Sequence, residues 1–168
     1  LHFRSVQSVL WELNQAKKFR PYLCQVQFIA PCFPEVTGWL EEFLQEYPQT
    51  VGLPFWLHTY PKNCDTDLLR RLRKAGLRGV HFCLGSGSLP IRRQILYRYE
   101  TNRELLRTAC NARESGVDAI AYTFFQIPDQ PVSALKETFS LLQTFPGRYS
   151  VSWKQFVPAL GYSPPPVP

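Results

Sequence analysis

Side chains capable of chemistry gather where apolar runs of this sequence break into Gly, Ser or Pro. The clearest case is Gly79-Val-His-Phe-Cys-Leu-Gly-Ser-Gly-Ser-Leu-Pro-Ile-Arg92, an apolar run that stops in a Gly/Ser turn and resumes as an arginine-bearing helical segment. In α/β folds, ligands sit at the carboxyl ends of such strands. Ser86 and Gly87 would bring backbone close to a ligand there; a plain strand-to-helix turn accounts for them almost as well. His58 and Tyr60 close the preceding apolar run. An imidazole at that rim can take or give a proton near neutral pH, although a hydrogen-bonded rim histidine is the commoner case. Arg92 and Arg98 flank the loop and could grip a carboxylate or phosphate bidentately, or simply brace it. Cys32 and Cys83 fall at strand ends facing the same rim, as small buried thiols rather than metal ligands. His81, in mid-strand, reads as a packed or capped core residue. Asp65, Thr101 and Glu104 read as helix caps with no chemistry of their own.

The elements that would position these residues follow from periodicity. Ser5 caps a helix with Val6, Val9, Leu10 and Leu13 on one stripe, ended by Pro21. Tyr22 to Ile29 alternates like a strand, and a helix from about Glu35 to Tyr47 places Val36, Trp39, Leu40, Phe43 and Leu44 on one face. Leu53 to Thr59 is apolar until His58, as a strand covered on both faces should be. Asp65 opens a helix with Leu68, Leu69, Leu72 and Ala75 inward, ended by a left-handed Gly76. The strand Val80 to Leu84 is followed by a short helix, Ile91 to Tyr97, and by a helix that the capping box Thr101-Asn-Arg-Glu104 opens and Gly116 ends. Val117 to Phe125 is a further strand. Pro131 is placed as the first residue of a helix with Leu135, Phe139 and Leu142 on its stripe, and Arg148 to Phe156 is the last strand.

The order is thus α-β-α-β-α-β-α-α-β-α-β, with strands spaced roughly 25 to 40 residues apart, as in βαβ units. No Gly-x-Gly-x-x-Gly opens a helix after the first strand, so a dinucleotide-binding fold has no positive support. A complete eight-stranded barrel needs about 250 residues, against 168 here. The expected fold is therefore α/β: a partial (β/α) TIM-type barrel of about five parallel strands with outer helices, over residues 1–162. Residues 163–168 form an extended Pro-rich tail.

Composition narrows the setting. An apolar content of 45% with 14% aromatics describes a packed globule. The net charge is +6, but only Arg70, Arg71, Arg73, Lys74 and Arg78 cluster. No aromatics interleave with them, which favours a solvated helix face over a nucleic-acid patch. The five cysteines are odd in number and contain no Cys-x2-Cys pair, so no zinc ribbon or self-contained iron–sulfur motif is visible. Free thiols suit a reducing cytoplasm. No apolar stretch approaches the ~20 residues of a membrane span. The sequence has no methionine, so a processed or excised piece of a longer protein is expected.

An ordered series of short matches resembles one family. It runs through Leu53-Pro-Phe, Asp65-x2-Leu-Leu-x2-Leu-x3-Gly76, the Gly79–Arg92 stretch, Ile95-Leu-Tyr-Arg98, Thr101-Asn-x-Glu104, Gly116-Val117 and Phe156-x-Pro158-x-x-Gly161. This series, from about Ser5 to Gly161, is similar to the C-terminal part of a radical S-adenosylmethionine domain, in particular its cobalamin-binding and methylthiotransferase-like branch. No single match is specific; the order carries the resemblance. It implies the C-terminal portion of a radical enzyme using S-adenosylmethionine, a 4Fe-4S cluster and, in that branch, cobalamin for methyl transfer or related chemistry. The cluster-binding Cys-x3-Cys-x2-Cys loop is absent and would lie upstream of Ser5, so the N-terminal remainder of the barrel is the expected partner and the segment alone should be inactive. The resemblance implies cofactor contacts at Ala30, His58, Tyr60, Ser86, Gly87, Arg98 and Gln126, and none to metal.

The departures matter as much. The family's acidic pair is Ala30-Pro31, its strand-end glycine and glutamate are Cys83 and Gly85, an expected arginine is Tyr60, and its Pro-Gly-Glu loop is Pro128-Asp129-Gln130. A carboxylate suits ammonium and ribose hydroxyls because it offers only acceptors and a charge. Its loss keeps open a second reading: a degenerate, non-catalytic barrel that binds a ligand or partner.

Overall fold

Residues 4–29, 37–124, 127–128 and 130–152 are described by a computed structural model of the chain. Local signals place most of its elements. The Ser5 hydroxyl accepts from the Ser8 N–H and opens α1 (Val6–Phe19), which buries Val6 and Leu10. After β1 (Val26–Phe28) comes α2 (Thr37–Thr50), which continues through Pro48 beyond the expected end at Tyr47. The carboxylate of Asp65 accepts from the Leu68 N–H at the start of α3 (Thr66–Lys74), and Gly76 ends the connection at φ +115°. Between β2 (Phe55–His58) and α3 lies a 3-10 turn, Pro61–Asn63. β3 (Leu77–Gly85) leads to the short α4 (Leu89–Gln94). The capping box of Thr101 and Glu104 then opens α5 (Asn102–Glu114). β4 (Asp118–Phe124), α6 (Val132–Gln143) and β5 (Arg148–Ser152) complete the series.

The five strands are all parallel and lie in chain order, β1-β2-β3-β4-β5. Consecutive order is that of a (β/α) barrel wall; a doubly wound sheet reverses its order at a switch point. Among the described residues β1 and β5 are free edges, so the sheet is an open, partial barrel.

One face of this sheet carries the core. Phe55, Leu57, Val80, Phe82, Leu84, Ala119 and Ala121 are buried there, in one cluster with Leu40, Phe43 and Tyr47 of α2, Leu69 and Leu72 of α3, and Leu105 and Ala109 of α5. Phe28, Phe43 and Phe55 meet edge-to-face at centroid distances of 5.6–5.8 Å. Fully burying rings of this size contributes about 3 kcal/mol each. The alternate residues Trp56, His58, His81, Ile120, Tyr122 and Phe124 are only half-buried on the opposite face.

Several expectations need correction. Among the described residues β2 is covered on one face rather than two: its apolar run supplies Phe55 and Leu57 to the core but Trp56 and His58 to the open face. His81 lies on that open face and not in the core. β1 is three residues long instead of eight, because only Val26, Gln27 and Phe28 find partners on β2; Tyr22 is 95% exposed. Pro131 is the extended cap of α6 and not its first helical residue. The inward stripe of α6 is Ala134, Thr138, Leu141 and Leu142, with Phe139 half-exposed, since Thr138 is held against the loop after β3. α4 ends before Ile95, and Tyr97 takes φ +50°, the one positive φ among described non-glycine residues. Residues 153–156 of the expected last strand, the tail 163–168, Ala30, Cys32 and Gln126 lie outside the described residues.

Candidate functional site

The open face is aromatic and polar from end to end. At its amino-terminal side the Trp56 ring lies over Gly79, where a Cβ would come within 2.0 Å of the indole. His81 follows, 5.2 Å from the Trp56 ring and stacked on its β2 partner His58 at 5.0 Å and 10°. Gln27 of β1 lies 2.9 Å from His58 Nε2. Burial lowers the pKa of both imidazoles, and for His81 the neighbouring His58 lowers it further. Both rings are therefore neutral at pH 7, able to accept a proton or a hydrogen bond.

Towards the carboxyl ends, Cys83 and Tyr122 are register partners and share a side-chain hydrogen bond. Burial pushes the Cys83 thiol up, partly opposed by the Arg98 cation, and pushes the Tyr122 phenol up to about 12. Both stay protonated at neutral pH, so Cys83 is not a thiolate nucleophile. Gly85 leaves the strand at φ +72° through a register shift, and the Thr123 hydroxyl donates to its carbonyl at 2.5 Å.

Above this rim opens a cavity of about 660 Å³, lined among others by Tyr60, Cys83, Arg98, Glu100, Tyr122 and Phe124. Its size is that of a small-molecule or cofactor site. Arg98 and Glu100 form an ion pair there at 3.1 Å, and the Arg98 guanidinium carbon stands 5.7 Å from the centre of the Tyr60 ring. Cation–π contact of this kind orients the guanidinium plane.

The loop after β3 behaves differently. Arg92 is fully buried and donates to Ser86 O, to Glu100 O at 3.1 Å and to Asn102 Oδ1 at 2.5 Å. The Thr138 hydroxyl of α6 accepts from Gly87 N–H at 2.8 Å, and Asn102 Nδ2 donates to Gly87 O at 3.0 Å. The Ser86 hydroxyl lies 3.2 Å from Thr138 Oγ1 and accepts from Ser88 N–H. A Cβ on Gly87 would meet Thr138 Cα at 2.4 Å, so glycine is needed there for α6 to dock. Arg92 is thus the brace, not a ligand-gripping arginine.

Of the residues singled out in the sequence, Tyr60 and Arg98 line the cavity, and His58 lies on the same face beside His81. Ser86 and Gly87 are turned into the protein against α6. Glu100 and Tyr122 also line the cavity, and His81 stacks on His58, three residues that the sequence alone does not mark as part of a site. The alternation Asp118-Ala-Ile-Ala-Tyr-Thr-Phe124 could have shown Tyr122 on the open face, whereas nothing local marks Glu100. Among the described residues no group of three His, Cys, Asp or Glu side chains is placed to hold a metal ion. Cys24, Cys83 and Cys110 are free thiols in separate parts of the fold.

No protein-family model matches the sequence, and no curated protein matches it. Solved structures do. The cobalamin- and [4Fe-4S]-bound radical S-adenosylmethionine methyltransferase TsrM of Kitasatospora setae is 16% identical, with a TM-score of 0.70 over 88% of this chain and 31% of that one. Coproporphyrinogen III oxidase HemN of Escherichia coli, a radical S-adenosylmethionine enzyme, is 16% identical with a TM-score of 0.65, covering 87% and 36%. Methylornithine synthase PylB is 13% identical with a TM-score of 0.63, covering 92% and 47%. The chain therefore has the fold of part of a radical S-adenosylmethionine barrel and spans less than half of each of these structures.

Proposed function

We propose that this chain is the C-terminal portion of the barrel of a radical S-adenosylmethionine enzyme, with its 4Fe-4S cluster held by residues outside the segment. The observation that supports this best is the sequential parallel sheet, bare on one face among the described residues, with a cavity at the carboxyl ends of β2, β3 and β4. The described residues do not fit the cluster, since no three cysteines converge. They do fit S-adenosylmethionine: the cavity offers aromatic walls to a nucleoside and both signs of charge to an amino acid. Tyr60, Tyr122 and Phe124 would hold the adenosine, and Arg98 would face the polar end. When bound, the cofactor supplies an electrophilic methyl group or, after one-electron reduction, a carbon-centred radical. The chain's own residues wall the cavity on one side. His58 and His81, both neutral, stand deeper on the same face as proton acceptors for a substrate, and Cys83 with Tyr122 closes the floor with protonated groups.

On this reading the remainder of the barrel pairs with the free edge of β1 and covers the open face. Cobalamin-dependent methyl transfer is the reaction we favour, on the likeness to TsrM. The free thiols Cys24, Cys83 and Cys110 fit a reducing cytoplasm, and no helix among the described residues is long and apolar enough to cross a membrane. The test uses the full-length gene product, reconstituted anaerobically with iron and sulfide. Binding of S-adenosylmethionine that depends on the cluster, and release of 5′-deoxyadenosine or a methylated product, are expected. Absence of a three-cysteine loop from the intact reading frame, with no such binding, would instead establish a non-catalytic barrel.

A further inference from the structure

All five strands run the same way, so their amino ends and the carboxyl ends of α3, α5 and α6 meet at one end of the sheet, opposite the cavity. Lys17 Nζ donates to Val51 O at 2.6 Å, which brings the end of α1 to the same place. That end is crowded with positive charge. Lys18 and Arg20 close α1, Lys74 ends α3, Arg78 lies near the start of β3, and Arg113 lies in the last turn of α5. Among the described residues none of these five makes an ion pair. Asp118 beside them is already held by Arg148 at 2.8 Å. Arg73 Nε donates to Gly116 O at 3.0 Å, at the lip of a groove of about 430 Å³ lined by Arg113, Gly116, Asp118 and Arg148.

Cations in a last helical turn complement the helix dipole, which accounts for Lys18, Lys74 and Arg113. It does not account for Arg20, Arg78 and Arg148, which lie outside the helices. Nor does it account for two rings set among the charges. In Lys17-Lys18-Phe19-Arg20-Pro21-Tyr22, Phe19 is 82% exposed and Tyr22 95% exposed. The run Arg70–Arg78 has no aromatics of its own; the fold supplies them by setting the end of α1 at the same end of the sheet. Cations interleaved with bare aromatic faces suit phosphates and bases together.

We propose that the amino-terminal end of the barrel is a docking surface for single-stranded nucleic acid, with Phe19 and Tyr22 stacking on bases and Arg78 and Arg113 among the phosphate contacts. From β1 to β5 this end is about 19 Å across, room for a strand of about four nucleotides. An acidic protein would meet the charges but leave both rings without a role. An anionic membrane is flat, whereas Arg113 and Arg148 line a groove. Because this surface is at the far end from the cavity, the proposal does not rest on the cofactor reading.

The experiment titrates the full-length protein into a fluorescent single-stranded RNA of about 20 nucleotides and follows anisotropy at several salt concentrations. Affinity should fall linearly with salt on logarithmic axes. R78Q/R113Q should reduce that slope by about 1.4, at about 0.7 for each lost phosphate contact. F19A/Y22A should weaken binding about tenfold and leave the slope unchanged. All four side chains are at the surface, so circular dichroism should show both variants folded. RNA or DNA of the same sequence supports the proposal, the tighter of the two naming the preferred sugar. No binding at about 50 mM salt overturns it. So does binding that neither double variant alters, or an effect of R78Q/R113Q with none of F19A/Y22A. Equal competition by polyglutamate, or equally tight binding to phosphatidylserine vesicles, also overturns it, in favour of an acidic protein or a membrane. S-adenosylmethionine binding is scored separately on the same preparations, so the failure of one reading leaves the other standing.

Discussion

Two neighbouring segments at the carboxyl end of the sheet, residues 85–88 and 95–101, use polar residues to opposite ends. In the first, Ser86, Gly87 and Ser88 direct their side-chain and N–H hydrogen bonds into the protein, and Arg92 is consumed as their brace. In the second, the backbone is equally fixed, but Arg98 and Glu100 present incompletely matched charges to a cavity. A Gly/Ser turn at a strand end is thus no guarantee of a ligand site. Binding capacity lies where bonding groups are left over after the fold has been satisfied.

The contrast can be broken most forcefully at Arg92. Arg92→Met removes three hydrogen bonds and strands two carbonyls, so it should cost about 4 kcal/mol in urea denaturation. A loss below about 1 kcal/mol would mean that the loop is not braced as described. Gly87→Ala should come next, at about 3 kcal/mol, because its Cβ meets the backbone of α6. A neutral Gly87→Ala would show that α6 can move away from the loop.

Arg98→Gln should be milder for the fold, about 1 kcal/mol, its pair being partly open to solvent. The same variant should weaken S-adenosylmethionine binding by the reconstituted full-length protein about tenfold. A large stability loss with unchanged binding would make the second segment a brace like the first. The smallest effect concerns pH. The folded state holds His58 and His81 below their ordinary pKa of 6.5, so the unfolded chain binds protons first as pH falls. Stability is then full above about pH 7 and is lost progressively as pH drops through the folded pKa values. The melting temperature should decline between about pH 7 and pH 5, with a shallower decline in His81→Phe. An identical slope in that variant would sink the coupling of the two rings.

Local rules made much of the architecture legible. Ser5, Asp65 and the Thr101/Glu104 box each cap the helix their spacing announces, and Gly76 and Gly116 end theirs with positive φ. The site was less legible because its determinants are non-local. Whether Trp56 and His58 meet a covering layer depends on what lies across the sheet, which an apolar run does not encode. Ser86, Gly87 and Arg92 look like ligand contacts until Thr138, 52 residues on from Ser86, claims the loop. Tyr60 is legible from its place at the end of an apolar run and Arg98 from its place beside the loop and in the ordered resemblance, whereas Glu100 needs the geometry of the connection.

Strand order equal to chain order also bears on how the molecule forms. Each of β2 to β5 pairs with the strand synthesised just before it, so the sheet can grow at a single advancing edge during translation. None of the described strands β2 to β5 waits for a distant partner within the sheet, which keeps each loop closure to the length of one crossover. The buried Phe55, on the second strand, meets Phe28, Phe43 and Tyr47 before it and only later Leu77 after it, which makes that aromatic cluster the natural seed for growth. Cavity-making substitutions at Phe43 or Phe55 should therefore slow folding, whereas those in α6 should chiefly speed unfolding.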